Sequence, residues 1–243
     1  MGRVTVFLDD GGVMNDNALR APQWRRLVGE FFTPRLGGTA QAWAEVNRSV
    51  MEQMFEAQNW QRRLEAASDY ASFYRQYGLD WLEGMCARLN ISCPAEEECI
   101  AMVEQANAFI IPRVRSAFAG AAQAIRRLYD EGYTLHTASG EPSNELAYYL
   151  EGMGVRECFG KLYGPDLIET FKLTPRYYER VFSDLGIEPE EALIVDDRPD
   201  CIDQAARLGA RTVLIGPKAP EKYRPDLQLA SLAELPDQMH RFD

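Results

Sequence analysis

The sequence predicts an α/β protein: a doubly wound parallel sheet whose first strand is cut off from the others by an all-helical insertion. Three observations carry this reading. Short apolar, β-branched runs each end in acids, glycine or small polar residues; helix-length amphipathic stretches alternate with those runs beyond residue 112; and residues 17–112 hold helical periodicity without strands. The expected division is a core from residues 1–16 and 113–243 and a helical domain from residues 17–112.

RVTVFL (3–8) reads as a buried strand that delivers the loop DDGG. The insertion follows, punctuated at TPRLGG (33–38) and around SCPAEEE (92–98), and it contains all four tryptophans, Trp24, Trp43, Trp60 and Trp81. Trp43, Val46, Val50 and Met54 recur at helical spacing, which predicts the core of a helix bundle. YTLHTAS (133–139), GKLYG (160–164), ALIVDD (192–197) and RTVLIG (211–216) are the later strands, with helices expected over 117–130, 142–152, 174–186 and 200–209. Ligands of such sheets bind beyond the carboxyl ends of the strands, where Asp9, Ser139, Asp196 and Asp197 fall.

Composition narrows the function. Thirty-seven acidic residues against 26 lysines and arginines give a net charge of −11, which argues against a nucleic-acid partner. Five cysteines, an odd number with no CxxC pair, support neither a disulfide framework nor a zinc site. No signal pattern opens the chain and no apolar run is long enough to span a membrane, so a cytoplasmic protein with no membrane partner is expected, as a monomer or homodimer.

Taken singly, an acid at a strand end is a turn cap; four such sites converging at one edge suggest chemistry. Asp9 is a candidate nucleophile or metal ligand, Ser139 with Gly140 offers a hydroxyl and amide donors to an anion, Lys172 can neutralise charge, and Asp196 with Asp197 can hold a divalent cation. Hard oxygen donors without histidine or thiolate favour Mg2+, which completes its shell with water and substrate phosphate.

In this order, FLDDGGV, LHTASG, FKLTPRYY and LIVDDRPD resemble the four motifs of the haloacid dehalogenase superfamily, and the resemblance covers essentially the whole chain. It implies a Rossmann-like core with a subclass I helical cap that closes over the site and selects substrate. It also implies that Asp9 takes the phosphoryl group as an aspartyl phosphate, that Ser139 binds phosphate oxygens, and that Lys172 clamps nucleophile and phosphoryl charge. Mg2+ would be held by Asp9, the Gly11 carbonyl and Asp197, with Asp196 auxiliary. The family pattern DxDGT places a second acid two residues after the nucleophile, where this chain has Gly11. That acid's proton transfer is worth about 100- to 10,000-fold, so its loss slows phosphoryl transfer without abolishing it. Asp16, or Asp10 after a rearrangement, is a candidate replacement.

The expected activity is Mg2+-dependent hydrolysis of a small phosphorylated metabolite, with a leaving group that needs little protonation. Two alternatives stand beside it. A 2-haloacid dehalogenase needs no leaving-group acid, but the superfamily's dehalogenases work without metal and lack the acidic fourth motif. A low-turnover phosphate-binding or regulatory member would keep the pocket alone. A receiver domain is set aside because only about 45 residues follow LIVDD. His136 reads as a satisfied core histidine and His240 as solvated. Arg198 reads as a cap or surface ion pair, and Cys201 as no nucleophile. Arg25, Arg26, Arg48, Arg62 and Arg63 read as a solvated helix face in preference to a second anion site.

Overall fold

The computed structural model describes residues 3–217, 220 and 222–242. The chain forms two compact units, one from the residues up to Asn17 with those from Ser116 onward, the other Ala18–Arg115. Strand β1 (Thr5–Leu8) opens the first unit, and the second follows it as helices α1 (Asn17–Leu36), α2 (Ala40–Met54), α3 (Ala57–Ala66), α4 (Tyr70–Leu89) and α5 (Glu96–Ile110).

Local chemistry sets these helix ends. Thr39 caps α2 by accepting the Ala42 amide at 3.2 Å, and Asp69 caps α4 through a reciprocal pair with Ser72. Asn90 closes α4 in the left-handed conformation, φ 54°. The bundle core forms where the α2 stripe meets aromatic side chains of α1 and α4: Phe32 stacks on Trp43 at 5.1 Å and meets Trp81 edge-on at 5.7 Å. Trp43, Val50 and Met54 are buried, whereas Val46 is only half-buried. Asn47 takes a core place beside it because its Oδ1 accepts the Trp81 indole N–H at 2.8 Å. Helix α3 buries none of its side chains and has no side-chain cap at its N-terminus.

The first unit continues with α6 (Ala121–Asp130), β2 (Leu135–Ala138), α7 (Ser143–Met153), β3 (Phe159–Tyr163), α8 (Pro165–Ile168), α9 (Arg176–Leu185), β4 (Ala192–Asp196), α10 (Pro199–Arg207), β5 (Arg211–Ile215), β6 (Leu227–Leu229) and α11 (Leu235–Gln238). The described strands make one parallel sheet in the order β3-β2-β1-β4-β5-β6. Period-two alternation covers both faces. Val6, Leu8, Leu193 and Val195 pack with α6 and α7, while Phe7, Ala192 and Ile194 pack with α9 and α10. This is the doubly wound α/β fold expected from the sequence. Its first strand lies between β2 and β4, so the chain winds away from β1 in both directions and leaves a crevice at the carboxyl ends of β1 and β4. The three-residue edge strand β6 has no counterpart among the expected strands.

The five cysteines are all free thiols. Among the described residues no helix is long and apolar enough to cross a membrane.

Candidate active site

Asp9 stands one residue past β1, and its amide donates to Val195 O at 3.0 Å, which carries the β1–β4 ladder to the edge of the crevice. Asp10, the next residue, is fully buried on a different set of partners. Its Oδ1 accepts the Asn15 side-chain N–H at 2.7 Å, and Asn15 Oδ1 accepts the Ser116 hydroxyl at 2.8 Å. Its carbonyl accepts the amides of Met14 and Asn15, both at 2.9 Å, so Asp10 closes the loop.

The two glycines differ in what they permit. Gly12 has φ +88°, and a Cβ there would stand 2.1 Å from Asp197 Oδ2, so only glycine lets the Asp197 carboxylate lie against the loop. At Gly11 φ lies outside the left-handed region, and the atoms nearest to a Cβ there would be those of the Asn17 carboxamide, Nδ2 at 2.9 Å. Asn17 thus stands beside the place where a side chain at position 11 would begin. The amide of Asp16 donates to Ser116 O at 2.7 Å.

Ser139 follows β2 and is buried, its amide donating to Tyr163 O at 3.0 Å. Its Oγ has one long contact, 3.4 Å from the Glu141 amide. Gly140 beside it is exposed, with open space where a Cβ would be. Lys172, in the turn between α8 and α9, is buried and knits three strand ends together. Its Nζ lies 2.9 Å from Asp9 Oδ1, 2.6 Å from Asp196 Oδ2 and 2.6 Å from Ala138 O. Burial alone pulls the ammonium down, but the carboxylates of Asp196 and then Asp9 outweigh it and hold Lys172 charged, well above an ordinary lysine.

Asp196 ends β4 fully buried, and its Oδ1 also accepts the Arg198 amide at 2.8 Å. Burial pushes its carboxyl up to about 6 against the pull of Lys172, and burial followed by the charge of Asp9 raises Asp197 as well. Asp9, Asp196 and Asp197 each bring a carboxylate oxygen within 4.8 Å of the others. Three carboxylates facing one ammonium leave negative charge that a cation would relieve. An all-oxygen donor set fits Mg2+ by the chemistry of its ligands.

Three supporting contacts lie outside the residues expected from the sequence. Tyr177, fully buried in α9, places its hydroxyl 3.0 Å from the carbonyls of both Ser139 and Tyr163, bracing the end of β2. Ala138 O as a lysine acceptor and the Asn15–Ser116 pair behind Asp10 are the others. Only Tyr177 left a trace, five residues after Lys172 at the opening of a helix. The remaining candidates lie elsewhere. His136 is buried and accepts the Lys161 amide at 2.8 Å, His240 is exposed, and Arg198 pairs with Asp200. Cys201 is fully buried, its thiol pushed up to about 12 by burial, which leaves it inert.

A family model described as haloacid dehalogenase-like hydrolase matches residues 23–209, a span that begins downstream of Asp9. The pyrophosphatase PpaX of Listeria monocytogenes serotype 4a (strain HCC23) is 22% identical over 241 residues, covering 96% of this chain and 95% of its own. The phosphoglycolate phosphatase of Rhodospirillum rubrum is 26% identical over 100 residues, 41% of this chain and 42% of its own. Among solved structures, the L-2-haloacid dehalogenase from Xanthobacter autotrophicus superposes with a TM-score of 0.63 at 18% identity, covering 98% of this chain and 99% of that one, a likeness of fold. With more than half of its length matched by the family model, and with phosphatases among its relatives, the chain belongs to the haloacid dehalogenase-like hydrolases.

Proposed function

We propose that the protein is a Mg2+-dependent phosphohydrolase that acts on a small phosphorylated metabolite through an aspartyl phosphate on Asp9. The observation that carries this reading is the meeting of Asp9, Asp196 and Asp197 within 4.8 Å beside the Lys172 ammonium. The Asp9–Lys172 pair alone would serve displacement at carbon as well as at phosphorus. The additional acidic pair at the end of β4 favours phosphorus, because it would hold a cation.

In this mechanism the Asp9 carboxylate attacks phosphorus as the in-line bond to the leaving oxygen breaks and the leaving group departs as its anion. Water then attacks phosphorus of the aspartyl phosphate, releasing inorganic phosphate and the Asp9 carboxylate, while Lys172 neutralises charge on nucleophile and phosphoryl oxygens in both steps. The Ser139 hydroxyl and the Gly140 amide hold the phosphoryl oxygens, and Tyr177 fixes the Ser139 backbone that aims them. Asp9, the Gly11 carbonyl, Asp197 and Asp196 would hold Mg2+, which when bound supplies charge neutralisation to the phosphoryl group. As the family resemblance implies, the helical unit would select the substrate. Gly11 offers no side-chain acid, and the neighbouring Asn17 amide donates no proton to a departing alkoxide. Esters with weakly basic leaving groups are therefore the favoured class.

The test is phosphate release from acyl, aryl and alkyl phosphates, with Mg2+ and with chelator, for wild type and Asp9→Asn. Expected is Mg2+-dependent turnover, absent in the variant, and about 100-fold or more faster for acyl and aryl than for alkyl esters. Halide release from 2-haloacids without phosphate release would replace this reading with dehalogenation.

A further inference from the structure

The helical unit contains a groove of about 790 Å³ between α2, α3 and α4, and it shares no residue with the carboxylate cluster. Its floor is apolar, with Val50, Met54 and Phe73 all buried. Its walls carry Arg62 and Arg63 from α3 and Arg88 from α4. The arginines singled out from the sequence divide sharply here. Arg26 pairs with Glu30 and Arg48 with Glu45 on exposed helix faces, while Arg25 bonds its own helix at Ala21 O; these fit the solvated-face reading.

Arg63 pairs with Asp80, which also accepts Gln76 at 2.7 Å, so that charge is compensated within the groove. Arg62 and Arg88 differ. Among the described residues neither makes an ion pair. Arg62 donates to the Asn59 side-chain oxygen, and Arg88 to the Gln53 side-chain oxygen and, at 2.9 Å, to Gly84 O. Both stay solvent-exposed, as capture of a diffusing ligand requires. Against the three guanidinium groups the groove sets the carboxylates of Asp80 and Glu83, leaving one positive charge in excess. In a chain of net charge −11, two arginines left to neutral acceptors above an apolar floor are a local reversal of sign.

We infer that this groove binds a small organic anion, with a single carboxylate or phosphate-like head on Arg62 and Arg88 and an apolar body against Val50, Met54 and Phe73. A guanidinium pair suits an oxyanion because each offers parallel N–H donors to two oxygens, and the amide oxygens that now accept them are readily exchanged for a charged acceptor. The apolar floor selects an anion with a hydrophobic body over free phosphate.

The experiment is a ligand-observed NMR titration of the full chain with phenylacetate, phenylphosphonate and, as the neutral counterpart, benzyl alcohol. It is run on wild type, on the exposed-site double variant Arg62→Gln/Arg88→Gln, and on Asp9→Asn. Expected is saturable binding of at least one anion to wild type and to Asp9→Asn, weakened about tenfold or more in the arginine variant. Whichever anion binds identifies the head group. The inference is overturned if neither anion binds wild type or if benzyl alcohol binds as tightly as the anions. It is equally overturned if the arginine variant, with unchanged melting temperature, binds as wild type does. Loss of binding in Asp9→Asn alone would assign the signal to the carboxylate cluster and overturn it too.

Discussion

At the scale of single residues, the site depends on what one glycine leaves out. Gly12 gives Asp197 its position twice over, by adopting φ +88° and by leaving free the 2.1 Å in which a Cβ would meet Oδ2. Gly12→Ala costs about 1 to 2 kcal/mol in backbone strain, which a folded domain of this size survives. The carboxylate beside it cannot stay where it is. The expected result is a modest fall in melting temperature, a kcat lower by about 100-fold, and a Mg2+ requirement raised by about 10-fold or more, read from activity against metal concentration. Unchanged metal dependence would show that Asp197 holds no cation. Gly11 is the milder position, because its φ admits any residue and the Asn17 carboxamide in its way can rotate aside.

At the scale of elements, β2 and β3 are the pair whose register is irregular, and His136 sits at that irregularity. The Lys161 amide donates to His136 Nδ1, so the ring is neutral with its proton on Nε2, and burial lowers its pKa from 6.5. A histidine whose folded pKa is lowered stabilises fully above the unfolded value, and that stability is lost as pH falls below about 6.5 toward the folded value. His136→Leu removes both the bond and the linked proton. Its melting temperature is expected to be lower than wild type at pH 7 and to fall less steeply between about pH 7 and pH 5. Parallel curves would show that His136 does not titrate with unfolding.

The same scale shows what was legible in the sequence. Strands that end in an acid or glycine after a β-branched run could be read to within one or two residues, because burial on both faces demands that composition. β6, three residues at the edge, carries too little pattern. Asn47 broke the bundle stripe because a hydrogen bond to a tryptophan on another helix has no periodicity. Asp9, Lys172, Asp196 and Asp197 stand out in the sequence as strand-end and helix-opening residues, and in space they meet. The tyrosine hydroxyl and the backbone carbonyls that brace them were invisible, since any sequence has carbonyls everywhere and only the fold says which of them converge.

At the scale of the molecule, net charge sets the terms on which an anionic substrate arrives. On the proposed phosphohydrolase reading, a phosphate ester approaching a chain of charge −11 would be repelled until it came within reach of Lys172 and of the cation that the carboxylates would hold. Added salt screens the repulsion more than it weakens a buried contact. With Mg2+ held constant, kcat/KM for a phosphate ester is expected to rise about threefold as potassium chloride goes from about 10 to 150 mM, with kcat unchanged. A fall over the same range would mean that the local positive field already governs capture at long range.

The lightly anchored α3 has a consequence of another kind. A ten-residue helix that buries no side chain and lacks a side-chain cap has little of its own to keep it helical, since so short a segment is marginal in water. Its order is borrowed from the groove it walls, so winding and unwinding of this segment and occupancy of the groove form a single equilibrium. Whatever fills the space beneath α3 slows hydrogen exchange at its amides. Whatever empties that space makes the same backbone the first part of the helical unit to become accessible to a protease.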